Sequence, residues 1–119
     1  MALGDLDGDG DLDLIVANVD QPLMIYRNDS QEHRRITVRL HGQSGNRYGL
    51  GSKLRVTTQA GEQIRELQPS RGFLASNQPI AHFGCGTADV ADLRVTWPTG
   101  VFQEFTGLKT GQHYEIVEP

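Results

Sequence analysis

Five aspartates alternate with other residues near the start of the chain, in the stretch Asp5-Leu6-Asp7-Gly8-Asp9-Gly10-Asp11-Leu12-Asp13. Counted from Asp5, this order puts side-chain oxygens at loop positions one, three, five and nine, with Gly10 at six and the Asp11 carbonyl at seven. Calcium is a hard cation that takes about 6 to 8 oxygens at roughly 2.3 to 2.6 Å, and a loop alternating ligand and non-ligand can wrap around it. Gly10 permits the bend that turns the next carbonyl inward. So many carboxylates crowded together repel one another unless a cation neutralises them. The spacing predicts one Ca²⁺ held by the carboxylates of Asp5, Asp7, Asp9 and Asp13 and by the carbonyl of Asp11, with water completing the shell.

The twelfth position holds Val16, not a bidentate Glu, and it lies inside the β-type run Leu14-Ile15-Val16-Ala17. A helix–loop–helix calcium hand is thereby excluded, and affinity is expected to be weak. The formal charge is −4, but five of the 15 acidic residues belong to this loop and the rest are matched by 11 Lys and Arg. With no basic stripe left over, nucleic-acid binding is not expected. Cys85 is the single cysteine, so neither an internal disulfide nor a thiolate metal cluster can form. The longest apolar run, Leu14 to Ala17, is too short to insert in a membrane. Met1 to Gly10 lacks the regions of a signal peptide, so the export signal of a secreted parent is expected outside this chain.

The loop must be held by the elements that follow it. Leu12 to Ala17, then Asn18-Val19-Asp20-Gln21-Pro22, then Leu23 to Tyr26 reads as a β-hairpin. Arg27 to Arg34 is polar, and Asn28-Asp29-Ser30 are turn formers. A boundary is therefore expected there, with residues 1–28 as one unit, 29–34 as linker and 35–119 as a second unit. From Arg35 onward the period is two. Ile36, Val38 and Leu40 alternate with Thr37, Arg39 and His41, and Leu54 and Val56 alternate with Arg55 and Thr57. Leu93, Val95 and Trp97 repeat the pattern, as do Tyr114 and Ile116. Gln63 to Gln68, Ile80 to Phe83 and Val101 to Phe105 are further strands that alternate less cleanly. Trp97-Pro98-Thr99-Gly100-Val101 predicts a tight hairpin turn and Ala60-Gly61-Glu62 another, whereas Gly42 to Gly51 is too long for one. No helical periodicity persists. The fold class expected is all-β, a calcium-loop hairpin attached to a small antiparallel β-sandwich or barrel.

Other residues could do chemistry, and each has a plainer reading. His82 and Cys85 would make a base and nucleophile, but residues three apart on a strand face opposite ways, so Cys85 is read as a buried apolar residue. His33, His41 and His113 show no metal-ligand spacing, and Glu62 with Glu66 shows no sign of a glycosidase pocket. Trp97 continues the inward register of Leu93 and Val95 and is assigned to the core; Phe73, in a glycine-rich loop beside Arg71, is left open between core and ligand stacking.

Gly4-Asp5-Leu6-Asp7-Gly8-Asp9-Gly10-Asp11-Leu12-Asp13-Leu14-Ile15-Val16-Ala17-Asn18 closely resembles the FG-GAP or VCBS repeat, over about Gly4 to Asn28. That resemblance implies a calcium loop at the rim of a propeller blade, of which this chain supplies only about half. The remainder resembles the ASPIC/UnbV domain, over about Arg34 to Val117. Arg47-Tyr48-Gly49-Leu50-Gly51-Ser52-Lys53-Leu54 is similar to its "N-R-x-x-I-G-A-x-V" segment, and Ser70-Arg71-Gly72-Phe73-Leu74-Ala75-Ser76 to "S-G-G-G-Y-L-S-Q-S". His82-Phe83-Gly84-Cys85-Gly86 is similar to "H-F-G-L-G", and Leu93-Arg94-Val95-Thr96-Trp97-Pro98-Thr99-Gly100 to "V-x-V-x-W-P-S-G". The two resemblances imply an extracellular or cell-surface, propeller-associated β module at the C-terminal part of a larger protein, with neighbouring blades as partners and the chain itself a monomer or weak dimer. The expected function is a calcium-binding interaction or adhesion module without catalysis. A carbohydrate-binding module and a hydrolase fragment are the alternatives.

Overall fold

The structure is a computed structural model that describes residues 1–9, 11–29, 34–43, 45–68 and 78–119. Ten strands run along it: β1 (Ala2–Gly4), β2 (Asp13–Val16), β3 (Met24–Tyr26), β4 (Arg34–His41), β5 (Lys53–Thr58), β6 (Gly61–Glu66), β7 (Ile80–Gly86), β8 (Val90–Thr96), β9 (Phe102–Lys109) and β10 (Gln112–Val117). There is no helix among the described residues. The strands form three sheets, ordered β1-β2-β3, β10-β4-β7 and β6-β5-β8-β9.

The second and third sheets face each other across one apolar cluster, because the period-two pattern of each central strand aims alternate residues inward. Ile36, Val38 and Leu40 of β4 and Ala81, Phe83 and Cys85 of β7 meet Leu54 and Val56 of β5 and Leu93 and Val95 of β8. This is the sandwich alternative; no closed barrel forms among the described residues. One expectation needs correcting. The sheets are not all antiparallel, since β10 runs parallel to β4 with His113 opposite Thr37 and Glu115 opposite Arg39. A parallel neighbour needs a long crossover, and the chain from β4 to β10 supplies it by passing through the whole opposing sheet.

Trp97 fills the end of the core at 2% exposure and donates from Nε1 to Gln103 Oε1 at 2.7 Å. The turn after it closes as expected, with Trp97 N donating to Val101 O at 2.8 Å and Gly100 at φ 92°. Against the Trp97 ring lies the long glycine loop. Asn46 clips it by giving its amide to Leu50 O at 2.8 Å and accepting from Leu50 N at 3.0 Å. Gly49 sits in the left-handed region at φ +63°, and a Cβ there would lie 2.9 Å from Leu40 Cβ and 3.0 Å from Trp97 Cζ3. Only glycine serves both demands.

The expected hairpin is present, with Leu14 opposite Tyr26 and Val16 opposite Met24, and β1 adds a third strand to it on the other side of β2. This small sheet folds back on the rest of the chain. Gln78 is the hinge pin, giving its backbone N–H to Leu3 O at 3.2 Å and accepting from Asp5 N on Oε1 at 2.9 Å. Docking is nevertheless partial. Leu12, Leu14 and Val16 are half-buried, whereas Leu23 and Ile25 remain 60% exposed.

Candidate metal centre

The acidic loop lies between β1 and β2 and is shaped by its own carboxylates. Asp5 Oδ1 accepts from Gly8 N at 2.8 Å, Asp7 Oδ1 from Asp9 N at 3.3 Å and Asp9 Oδ1 from Asp11 N at 2.9 Å. Such side-chain-to-backbone bonds two or three residues ahead are the turn-forming habit of aspartate. Gly8 takes φ +77°, which lets the chain reverse between Asp7 and Asp9. The bend assigned to Gly10 falls outside the described residues.

Asp13 anchors this loop to the sheet. It is 1% exposed, and its two carboxylate oxygens accept from Leu6 N and from Asn28 N, each at 2.8 Å. One side chain thus ties the start of the loop to the end of the hairpin. Those bonds, from Asn28 first and Leu6 next, hold the Asp13 carboxyl below its ordinary value of 3.8, with Arg27 adding. Asp7 behaves in the opposite way. Partial loss of hydration pushes it up, and the charges of Asp9 and Asp13 add to this against a backbone hydrogen bond from Asp9.

Two carboxylate groupings result among the described residues. Oxygens of Asp5, Asp7 and Asp13 all lie within 4.8 Å of one another, and so do oxygens of Asp7, Asp9 and Asp29. Two ligands about 2.4 Å from a common centre cannot be more than about 4.8 Å apart, so both sets meet the geometric condition for sharing one hard cation. The donor chemistry, all oxygen and all carboxylate, also fits calcium and not a softer metal. Asp11 goes elsewhere. Its side chain is buried and its Oδ1 pairs with Arg35 Nη1 at 2.7 Å; the spacing assigns the ligand role to its carbonyl.

Asp29 is the member that sequence reasoning missed, having been placed in the linker as a turn former. It reaches the cluster because Asp13 captures Asn28 N and draws the end of the hairpin across the loop. Arg27 accompanies it, with Nε 2.7 Å from Asp29 Oδ1 and 3.9 Å from Asp7 Oδ2. The Asp29 bond and charge raise the Arg27 guanidinium further. Arg27 thereby stands as an internal cation at one lip of the loop, competing with any metal for Asp29.

The remaining candidates take the places their register dictates. Cys85 is in the core at 1% exposure with its thiol pushed up by burial, while His82 lies on the opposite face of β7. Glu62 is exposed and pairs with Arg55 at 3.4 Å, and Glu66 is exposed on the same strand. His41 and His113, unconnected by spacing, both approach Glu115 Oε1, at 3.6 and 3.8 Å. His33 and Phe73 lie outside the described residues, as does the whole segment 69–77.

Two family descriptions match the chain over overlapping stretches. The family described as ASPIC and UnbV matches residues 42–119, and the FG-GAP-like repeat matches residues 5–52, a match that runs past the hairpin into β4 and the glycine loop. Cartilage acidic protein 1 of Mus musculus is 34% identical over 103 residues, covering 81% of this chain and 16% of that protein. The Xenopus tropicalis protein of the same name is 31% identical over 103 residues, covering 83% and 16%, and the Homo sapiens one 34% over 101 residues, covering 81% and 15%. The chain therefore spans only a small part of the length of the curated relatives it matches. With four matching segments in order and a family match over most of its length, the chain belongs to the ASPIC and UnbV family, preceded by an FG-GAP-like repeat that carries the aspartate loop.

Proposed function

We propose that this chain is a calcium-stabilised, non-catalytic interaction module from the C-terminal part of a larger extracellular or cell-surface protein. The observation that carries the reading is the convergence of the Asp5, Asp7 and Asp13 carboxylates within 4.8 Å. Three like charges so close are costly unless a cation neutralises them; the Asp7 carboxyl, raised first by lost hydration, is raised further by the charges of Asp9 and Asp13. Residues 1–28 and 35–119 act as two units, the first ordered by the ion and the second by its own core. The relatives' name places those proteins in cartilage, in keeping with a location outside the cell.

The partner surface belongs to the N-terminal sheet. Along the edge strand β3, Ile25 and Tyr26 are 60% and 52% exposed, and Leu23 just before it is 60% exposed. An open, apolar strand edge recruits another strand, and a neighbouring propeller blade of the parent protein would cover it.

Affinity should be low, because Val16 stands where a bidentate Glu would and Arg27 occupies one lip of the loop. Extracellular calcium modules work at about 10⁻⁴ to 10⁻³ M, and a calorimetric calcium titration of the folded chain is expected to give a dissociation constant in that range. Absence of any calcium-dependent heat at millimolar concentration would overturn the assignment.

A further inference from the structure

A cleft of about 600 Å³ opens between the acidic loop and the outer face of the β10-β4-β7 sheet, lined among others by Thr37, Arg39, Gln78, His82, Gln112 and His113. Its floor follows from register. With Ile36, Val38 and Leu40 turned to the core, Thr37 and Arg39 must face outward, and the pairing sets His113 and His82 on either side of Thr37. Thr37 Oγ1 and His113 Nδ1 are 2.7 Å apart, and Thr37 is only 5% exposed although it faces away from the core. Thr37 is thus covered at the base of the cleft, while His113 and Gln112 at its side remain exposed.

Arg39 is the unsettled group here. Its Nε is buried and has no hydrogen-bond partner among the described residues. The neighbouring arginines are already engaged, Arg34 with Asp89 and Arg35 with Asp11 and the Asp9 carbonyl. Glu115, next to Arg39 by register, directs its carboxylate at His41 and His113. Arg39 as a whole is half-buried, and no ion pair or hydrogen bond engages its guanidinium among the described residues, so its Nη groups are where an acceptor from outside the chain would meet it.

We propose that this cleft binds an acidic saccharide, with the carboxylate of a single uronate unit on Arg39. The charge of the walls selects this class. Asp5, Asp9, Arg34 and Arg35 also line the cleft; with Arg34 and Arg35 paired to Asp89 and Asp11, the loop carboxylates repel a polyanion such as an Asp-rich peptide more strongly than one carboxylate on an otherwise neutral polyhydroxy ring. The Gln78 and Gln112 amides and the Thr37–His113 pair offer donors and acceptors to ring hydroxyls. The volume lies within the range of about 300 to 1,000 Å³ usual for small-ligand pockets and is far larger than one ion needs.

The test is a titration of the full chain with glucuronic acid, in EDTA, followed by amide and arginine side-chain NMR. Thr37, Arg39 and His113 stand on β4 and β10, whereas Asp5 and Asp9 belong to the loop wall and Gln78 holds it, so the titration is repeated in millimolar calcium, and the Arg39 shifts are expected in both conditions. Saturable shifts at Thr37, Arg39 and His113 are expected, with glucose binding at least about tenfold more weakly. Arg39→Gln should weaken glucuronate by a similar factor while the rest of its spectrum stays unchanged, and Arg39→Lys should recover part of the loss. The proposal is overturned by an absence of shifts in the cleft, by equal binding of glucose, by Arg39→Gln or Arg39→Lys binding as wild type, or by an Asp-rich peptide binding there more tightly than glucuronate.

Discussion

Asp13→Ala is expected to abolish calcium binding at accessible concentrations and to detach both ends of the aspartate loop. Partners that merely support a metal ligand cost about 10- to 100-fold in affinity when removed, and Asp13 would be a ligand itself, so its loss should exceed that. It also leaves Leu6 N and Asn28 N without the acceptors that now hold them at 2.8 Å. Amide exchange at Leu6 and Asn28 should rise, whereas that of β4, β5 and β8 should not change. Asp20→Asn, which removes a charge on the exposed turn between β2 and β3 but keeps a residue that tolerates the φ of 58° there, is the control and should leave calcium binding intact.

The same residues give a pH order. Asp13 is lowered in the folded chain, so its contribution is fully present above the ordinary carboxylate value of 3.8 and fades as pH falls through the lowered one. Asp7 is raised and takes its proton first. Because calcium needs ionised ligands, calcium affinity should fall on mild acidification while the Asp13 latch is still closed.

Gly49→Ala should be the more damaging change to the whole fold. The left-handed backbone costs an L side chain about 1–2 kcal/mol. Forcing a methyl group against Leu40 and Trp97 adds about 1–3 kcal/mol, so a total near 2–5 kcal/mol is expected. Gly107→Ala separates the two causes, since Gly107 has a similar φ of +67° with nothing within 4 Å of a Cβ. It should show the backbone part alone. Urea unfolding with unchanged slope measures both. Equal losses in the two variants would mean that the packing of Gly49 against Trp97 contributes nothing.

What the sequence disclosed depended on whether a residue's role is local. Strands β4, β5 and β8 were legible because one face of each is buried, so Ile36, Leu54 and Leu93 head regular alternations. β1, only Ala2–Gly4, is too short to show a period, and it exists because Leu3 pairs with Leu14. Alternation names the buried face but not the partner, so the parallel pairing of β10 with β4 could not be foreseen. The five aspartates suggest a cation loop through spacing alone, and the structure brings oxygens of Asp5, Asp7 and Asp13 within 4.8 Å of one another. That Asp11 would turn its carboxylate to Arg35, and that Asp29 would join Asp7 and Asp9, are contacts between distant or differently assigned segments. The Arg39 cleft was invisible for the same reason, since Thr37, His82 and His113 become neighbours only once three strands are paired.

The central claim is that calcium binds in the aspartate loop and orders the N-terminal sheet without being part of the larger core. Amide hydrogen exchange of the whole chain, compared in millimolar calcium and in EDTA, tests it most directly. Ligand at 100 times its dissociation constant stabilises the state that binds it by about 2.7 kcal/mol, so at the few-millimolar levels accessible here a smaller gain of the same sign is expected, confined to residues 2–29. Protection there should fall in EDTA while residues 34–43, 45–68 and 78–119 keep theirs. Identical exchange in the two conditions, or a loss of protection through the whole chain at once, would contradict the account.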